Sequence, residues 1–151
     1  MNFRKGQAAL DFLMTYGWAI ALVVIIAAVL FALGIFDVSN FIGSRAAGFS
    51  GVAVKGWKLS PAGDLTVKVT NEVGQLITIN SVNATIGANS SLNSTSIPLA
   101  VGEDSPDIVL GGFSPQTAGT GYTAKVVISY TDRSSDFDYS SSGTLTGKAT
   151  E

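Results

Sequence analysis

The sequence predicts an α+β protein in which a long hydrophobic N-terminal α-helix precedes an antiparallel β-sandwich. Of the 151 residues, 46% are hydrophobic and 13% are charged, yet the 25 consecutive positions from Phe12 to Phe36 carry no charge. From Gly51 onward the hydrophobic residues recur with a period of two, which is typical of half-buried strands. The roughly 115 residues outside the uncharged block are enough for one domain with its own core.

The residue types that are absent exclude most catalytic chemistry. The chain has no histidine and no cysteine, so it cannot form a Ser-His-Asp or Cys-His catalytic group, a zinc finger or a disulfide. Its 9 basic and 11 acidic side chains give a net charge of −2, which argues against a nucleic-acid-binding surface. We therefore expect no enzymatic activity, no cofactor, no metal site and no nucleic-acid partner.

The uncharged block is long enough to cross a membrane, since a helix needs about 20 apolar residues to span a bilayer core. Arg4 and Lys5 precede the block and the first charge after it is Asp37, so the positive-inside rule places the N-terminus in the cytoplasm and residues 37–151 outside. A removable secretory signal normally has a shorter apolar region. A plain membrane anchor for a surface domain remains open at this stage.

The helix is predicted to continue beyond the uncharged block to about Ala47, where Gly48 or Gly51 would end it. This gives a helix over residues 7–47 and a head domain over residues 48–151. A helix of about 40 residues would reach roughly 60 Å.

A plain anchor does not explain the residues before the block, which read Lys5-Gly6-Gln7 and then, four positions later, Asp11. These positions and the stretch that follows them resemble archaeal type IV pilin-like proteins with a class III signal peptide. In that family a peptidase cuts on the cytoplasmic side, at the position of the Gly6–Gln7 bond. The resemblance implies that residues 1–6 form a leader and that the helix stays in the mature protein.

The resemblance also implies a function. The protein would be the structural subunit of an adhesion pilus, anchored in the cell membrane as a precursor and extracellular when mature. Its partners would be copies of itself in a helical filament, a prepilin peptidase, an assembly ATPase and a membrane platform protein. Asp11 would pair with the new α-amino group of Gln7 in a neighbouring subunit, or alternatively would cap its own helix. The head would be immunoglobulin-like.

Two alternative functions remain open. Within the family, the chain could be an archaellum-type filament subunit, although glutamine after the cleavage point fits the pilus branch better. Outside it, the chain could be a single-pass, membrane-anchored binding module that does not polymerise.

Strand predictions in the head follow the alternation of apolar and polar residues. Five stretches show it: Val52 to Gly56, Leu65 to Val69, Ile77 to Ile86, Tyr122 to Tyr130 and Leu145 to Ala149. In the third stretch the apolar parity shifts, which predicts a β-bulge around Asn80-Ser81. Residues 87–120 are rich in proline and glycine and are predicted to be mostly loop, with short strands near 96–99 and 107–110.

Two groups of polar residues in the head are candidate sites. Asn83, Asn89 and Asn93 each begin an Asn-X-Ser/Thr glycosylation pattern. On a segment assigned to the cell exterior, these three predict N-linked glycan. Asp132, Asp136 and Asp138 could supply oxygen ligands to calcium, but they lack the spacing of an EF-hand loop, and a solvated hairpin turn is the preferred interpretation.

Overall fold

The computed structural model describes residues 3–33 and 43–150, and within the helix it does not describe the side chains of residues 3–5, 7 and 8. The chain divides into two compact units, Met1–Val38 and Ser39–Glu151. In the first unit the helix α1 spans Phe3–Ala32. Its sequence contains no proline and is rich in alanine and leucine, which are strong helix formers, so the predicted long apolar helix is confirmed.

The second unit is built from β-strands. Its strands among the described residues are β1 (Arg45–Ala47), β2 (Val52–Leu59), β3 (Leu65–Asn71), β4 (Ile77–Ile86), β5 (Asn89–Leu99), β6 (Ile108–Leu110), β7 (Gly121–Asp132) and β8 (Phe137–Lys148). They form a larger sheet in the order β1-β8-β7-β4-β5 and a smaller sheet in the order β2-β3-β6. Every neighbouring pair is antiparallel. The predicted α+β fold class is therefore confirmed.

The strand order matches an immunoglobulin-like arrangement. If β2, β3 and β6 are assigned to strands A, B and E, and β4, β7 and β8 to strands C, F and G, the two sheets have the orders A-B-E and C-F-G. β5 lies beside β4, at the position of strand C′, and not beside β6 as strand D would. β1 is an additional edge strand on β8.

The two sheets share one hydrophobic core, and the predicted alternation places the side chains in it. Leu65, Val67 and Val69 on β3 are fully buried, as are Ala124 and Ile128 on β7. Valine and isoleucine dominate because β-branched side chains pack well on a pleated, half-buried surface. The largest fully buried side chains come from both sheets: Leu59, Leu65, Ile77, Ile79, Leu99, Leu110, Ile128, Leu145, Val52, Val67, Val69 and Val82.

The predicted bulge in β4 is confirmed. The register of β4 shifts between Ile79 and Ser81 against both of its neighbours, β5 and β7. Ile79 and Val82 are both buried although they are three positions apart in the sequence. One extra residue in the strand is what allows both side chains to face the core.

The prediction that the helix continues to Ala47 is wrong for the described part of that segment. Gly43 and Ser44 are not helical, and Arg45–Ala47 form β1; residues 34–42 lie outside the described residues. β1 pairs with Thr144 to Thr146 of β8. A Cβ on Gly143 would lie 2.5 Å from the Ala47 carbonyl oxygen and 2.6 Å from the ring of Phe49, so glycine at 143 is what allows this segment to pack closely.

The prediction of a mostly loop segment over 87–120 is also wrong in part. β5 extends over 11 residues, Asn89–Leu99, whereas only a short strand near 96–99 was expected. The short strand near 107–110 is confirmed as β6. The final strand, β8, spans 12 residues and begins well before the predicted Leu145.

Two buried polar side chains connect segments that are distant in the sequence. The Nδ2 atom of Asn71 donates hydrogen bonds to the carbonyl oxygens of Gln75, Leu99 and Ala100 at 2.7, 3.0 and 3.1 Å. Its Oδ1 atom accepts a hydrogen bond from the Val73 amide at 2.9 Å, and the side chain is fully buried.

Ser141 has a similar role where the chain passes from β1 to β2. Its hydroxyl accepts a hydrogen bond from the Ser50 amide at 3.0 Å and donates one to the Val52 carbonyl at 2.8 Å. Both bonds hold the crossing segment against β8. Buried polar groups need hydrogen-bond partners, and the polar atoms of the Asn71 and Ser141 side chains find theirs in segments that only the folded chain brings together.

Candidate functional site: the apolar helix and its N-terminal motif

The surface of α1 is apolar on all sides and is not covered by the described part of its own unit. Most of its large side chains are between 48% exposed, at Leu22, and 81% exposed, at Met14, and Leu30 is half-buried. A helix that is hydrophobic all round is normally buried in a protein core or in a membrane. The exposed large apolar residues on it are Leu10, Phe12, Leu13, Met14, Tyr16, Trp18, Ile20, Leu22, Val23, Val24, Ile25, Ile26, Val29 and Phe31, and Leu33 directly after it is exposed as well.

The span Ala9–Ala32 has the length and hydropathy of a membrane-crossing segment. It contains 24 residues with a mean hydropathy of 2.4. At a rise of 1.5 Å per residue, this is about 36 Å of helix, against a bilayer core of about 30 Å. Length and composition are thus compatible with a membrane anchor, and equally with a signal sequence.

One face of the helix carries a shallow apolar groove. It is lined by Phe12, Tyr16, Ala19, Ile20, Val23 and Val24. The spacing of three and four residues places these side chains on one side of the helix. The rings of Phe12 and Tyr16 lie 4.6 Å apart between centroids and are tilted by 39°. Small Ala19 between larger neighbours lets another helix approach closely at this point.

The motif that precedes the apolar span lies in the first turns of the helix. Because α1 begins at Phe3, the Lys5-Gly6-Gln7 backbone is helical. Gly6 is exposed, and a Cβ at this position would meet no atom within 4 Å. The side chains of Lys5 and Gln7 lie outside the described residues, so the structure does not test their predicted role in leader cleavage.

Asp11 is exposed and lies one helical turn after Gln7. The Thr15 hydroxyl donates a hydrogen bond to the backbone carbonyl of Asp11 at 2.8 Å and does not touch the carboxylate. The carboxylate has no ion pair with any side chain that the structure describes. In an apolar environment a carboxylate needs a cationic partner, because an unpaired charge there is costly.

All three glycosylation patterns begin on strands, as predicted for Asn83, whereas Asn89 and Asn93 were expected in a loop. Asn83 is on β4, and its Oδ1 atom accepts a hydrogen bond from Ser90 at 2.9 Å. Asn89 and Asn93 are on the edge strand β5. Their Nδ2 atoms donate to the Ser114 hydroxyl at 2.9 Å and to the Val109 carbonyl at 2.8 Å. A glycan attached to Nδ2 replaces one of its two hydrogens, so each of these bonds can persist after modification.

The aspartates around the β7–β8 turn do not converge on a common point. Asp132 is 8% exposed and accepts hydrogen bonds from the backbone and hydroxyl of Ser134, which hold the pKa of its carboxyl below the ordinary value. Asp138 pairs in register with Thr131, so it lies on the opposite face of the sheet from Asp132. Within the described ranges, no group of acidic residues is arranged to hold a metal ion.

The outer face of the smaller sheet carries two ion pairs. Lys55 Nζ lies 2.9 Å from Asp104 Oδ2, and the Thr70 hydroxyl donates to Asp104 Oδ1 at 2.6 Å. The hydrogen bond from Thr70, followed by that from Lys55, lowers the pKa of Asp104. Lys68 Nζ lies 3.4 Å from Asp107 Oδ1. Lys55 and Lys68 lie in two stretches predicted as strands, whereas Lys58 lies beyond the predicted end of the first stretch, at Gly56.

Comparison with known proteins adds no assignment to this geometry. The chain matches no protein-family model, and no curated protein sequence matches it.

Proposed function

We propose that this chain is a pilin, the structural subunit of an archaeal type IV-like adhesion pilus. It would self-assemble through its hydrophobic N-terminal helix once residues 1–6 have been removed. The observation that carries the proposal is an apolar helix with mostly exposed large side chains, which has the Lys5-Gly6-Gln7 and Asp11 motif in its first turns and is followed in the chain by a second, β-stranded unit.

The apolar surface of the helix needs an apolar environment other than lipid if the protein is to leave the membrane. Burying a large apolar side chain contributes about 1.5–3 kcal/mol. The fourteen exposed large apolar residues of α1 therefore represent on the order of 20 kcal/mol or more, which exceeds the net stability of a typical domain. Such a helix leaves the bilayer only if other apolar surfaces replace the lipid. Copies of the same helix provide that surface in a filament.

The motif supports the direction of assembly. The precursor would sit in the cell membrane with a cytoplasmic N-terminus, where a prepilin peptidase cuts before Gln7. An assembly ATPase and a membrane platform protein would then drive extraction, and the mature subunit would become extracellular. The Asp11 carboxylate would pair with the new α-amino group at Gln7 of a neighbour, because both charges are otherwise unpaired in an apolar surrounding.

Glycosylation is a further part of this proposal. If the second unit is extracellular, Asn83, Asn89 and Asn93 can carry N-linked sugars. The intact mass of native protein tests this point, since a mass equal to that of the bare polypeptide contradicts it.

The N-terminus of surface material is the decisive measurement for the pilin proposal. We expect purified filaments to contain this chain beginning at Gln7, with glutamine either free or cyclised. Membrane-bound, non-fibrous protein that still begins at Met1 contradicts the proposal and supports the anchored binding module instead. Filaments that lack this polypeptide contradict it as well.

A substitution separates assembly from insertion. Asp11→Ala should abolish or strongly reduce filaments while membrane insertion and leader removal continue, because only the carboxylate is lost. Glu72→Gln provides a control, since Glu72 is an exposed acidic residue in the second unit. Filament yield is measured by electron microscopy of sheared surface fractions, and leader removal by mass spectrometry. Normal filaments from Asp11→Ala would show that Asp11 only caps its own helix.

A further inference from the structure

The outer face of the smaller sheet contains a shallow hollow with a volume of about 280 Å³. The hollow is present because β2 bulges between Val54 and Gly56 and because Gly56 has no side chain. A Cβ at Gly56 would meet no atom within 4 Å. Glycine inside a strand often marks a position where a ligand approaches the backbone. The lining residues are Gly56, Trp57, Lys58, Thr66, Lys68 and Asp107.

The strand register fixes the polar groups around this hollow. Lys58 pairs with Thr66, and Gly56 pairs with Lys68. The next pair along the strands, Leu59 and Leu65, points into the core. Because successive side chains point to opposite faces of a sheet, Lys58, Thr66 and Lys68 point outward. Two ammonium groups and one hydroxyl therefore border the same opening.

Positive charge exceeds negative charge at the hollow. Lys58 makes no ion pair with any group in the described ranges. Lys68 pairs with Asp107, but its Nζ atom lies 3.4 Å from Asp107 Oδ1, and the two side chains are 46% and 60% exposed. The neighbouring Lys55–Asp104 pair differs, since it is closed at 2.9 Å and supported by Thr70. The hollow thus contains two accessible cations for one loosely held carboxylate.

This set of groups selects one class of ligand. An inorganic anion without a hydroxyl group, such as sulfate, suits the two ammonium groups but offers the Asp107 carboxylate no hydrogen-bond donor. A sugar acid suits all of them: its carboxylate accepts hydrogen bonds from the ammonium groups, and its ring hydroxyls donate to Asp107 and exchange hydrogen bonds with Thr66. The hollow is open and not enclosed, so a polymer can pass across it. We propose that it binds a carboxylate-bearing sugar unit of an acidic polysaccharide, independently of filament assembly.

The test uses full-length protein in detergent and immobilised polygalacturonate, with dextran as the neutral matrix. We expect retention on polygalacturonate, little on dextran, and weakening of binding as salt rises. Lys58→Ala and Lys68→Ala should each raise the apparent dissociation constant roughly fivefold, since exposed ion pairs contribute modestly. Gly56→Val keeps every charge and fills the hollow with a residue that suits a strand, so it should weaken binding by a similar factor.

Lys125→Ala is the matched control. Lys125 is an exposed lysine on β7 of the larger sheet, and its removal should change the dissociation constant less than twofold. Retention that falls equally for Lys125→Ala, or that is unchanged by Gly56→Val, overturns the proposal in favour of nonspecific charge attraction. Competition by inorganic phosphate at the same concentration as galacturonic acid overturns it in favour of a simple anion site.

Discussion

Replacement of Asn71 by alanine tests how the second unit is held together. The substitution removes partners from four backbone groups: the carbonyls of Gln75, Leu99 and Ala100 and the amide of Val73. The bond to Leu99 is buried, whereas the other three are partly accessible to water. One fully unsatisfied buried group costs about 1–3 kcal/mol. With smaller losses at the other three, we expect a decrease of about 3 kcal/mol in the free energy of unfolding.

The assay is thermal or urea unfolding of the full-length protein in detergent, followed by near-ultraviolet circular dichroism. For a domain of this size, about 3 kcal/mol corresponds to a decrease in Tm of roughly 15 °C. Gln116→Ala is the control, because Gln116 makes one exposed hydrogen bond to the Ser114 carbonyl at 3.2 Å. That change should cost less than about 0.5 kcal/mol. A loss below about 1 kcal/mol for Asn71→Ala would refute the reasoning.

Asn71→Asp makes the same test specific to the donor atoms. It places a carboxylate against three carbonyl oxygens, so at neutral pH it should destabilise more than alanine does. The fold raises the pKa of the introduced carboxyl. The penalty therefore grows as the pH rises above about 4 and shrinks below it, where a protonated carboxyl regains one donor. A loss that does not change with pH contradicts this account.

Three further changes test other contacts by the same unfolding assay. Gly143→Ala should destabilise by about 1–3 kcal/mol, since its Cβ clashes with Phe49 and β1; Gly56→Ala, with open space around its Cβ, should be neutral. Ser141→Ala should cost about 1–2 kcal/mol through its two lost backbone hydrogen bonds. Burial raises the pKa of Tyr122 to about 12, so its contribution is complete below pH 10 and is lost as the pH rises towards 12. Tyr122→Phe should remove this loss of stability above pH 10, measured as the difference in the free energy of unfolding from the parent protein.

Elements with a clear hydrophobic pattern could be predicted from the sequence. The uncharged block predicts α1. Strict alternation of apolar and polar residues predicts β3 and most of β7, from Tyr122 to Tyr130. The parity change after Ile79 predicts the bulge in β4, because only an extra residue lets Ile79 and Val82 share a face. In each case a buried surface selects the residue types, so the pattern is local and readable.

Elements that depend on contacts distant in the sequence could not be predicted. β5 reads as a loop because the inward positions of its first half, including Ser91, Asn93 and Thr95, are only half-buried and polar. β1 reads as the end of a helix because Ala46 and Ala47 are good helix formers. Its strand conformation comes from pairing with β8 and from the space above Gly143, and neither is visible in the local sequence.

The candidate sites divide in the same way. The motif around Asp11 was readable because its spacing is local. The hollow at Gly56 was not, because it needs the register between β2 and β3 and the bulge after Val54 to bring Lys58 and Lys68 to one opening.

The strand β5 carries no charged residue over its eleven positions, and among the described strands it is hydrogen-bonded to β4 alone. At high protein concentration, the free edge of β5 can therefore form backbone hydrogen bonds with a strand of another molecule. In detergent, which covers α1, precipitation during concentration is expected to start at this edge, and a lysine in place of the outward-facing Ser94 is the simplest remedy.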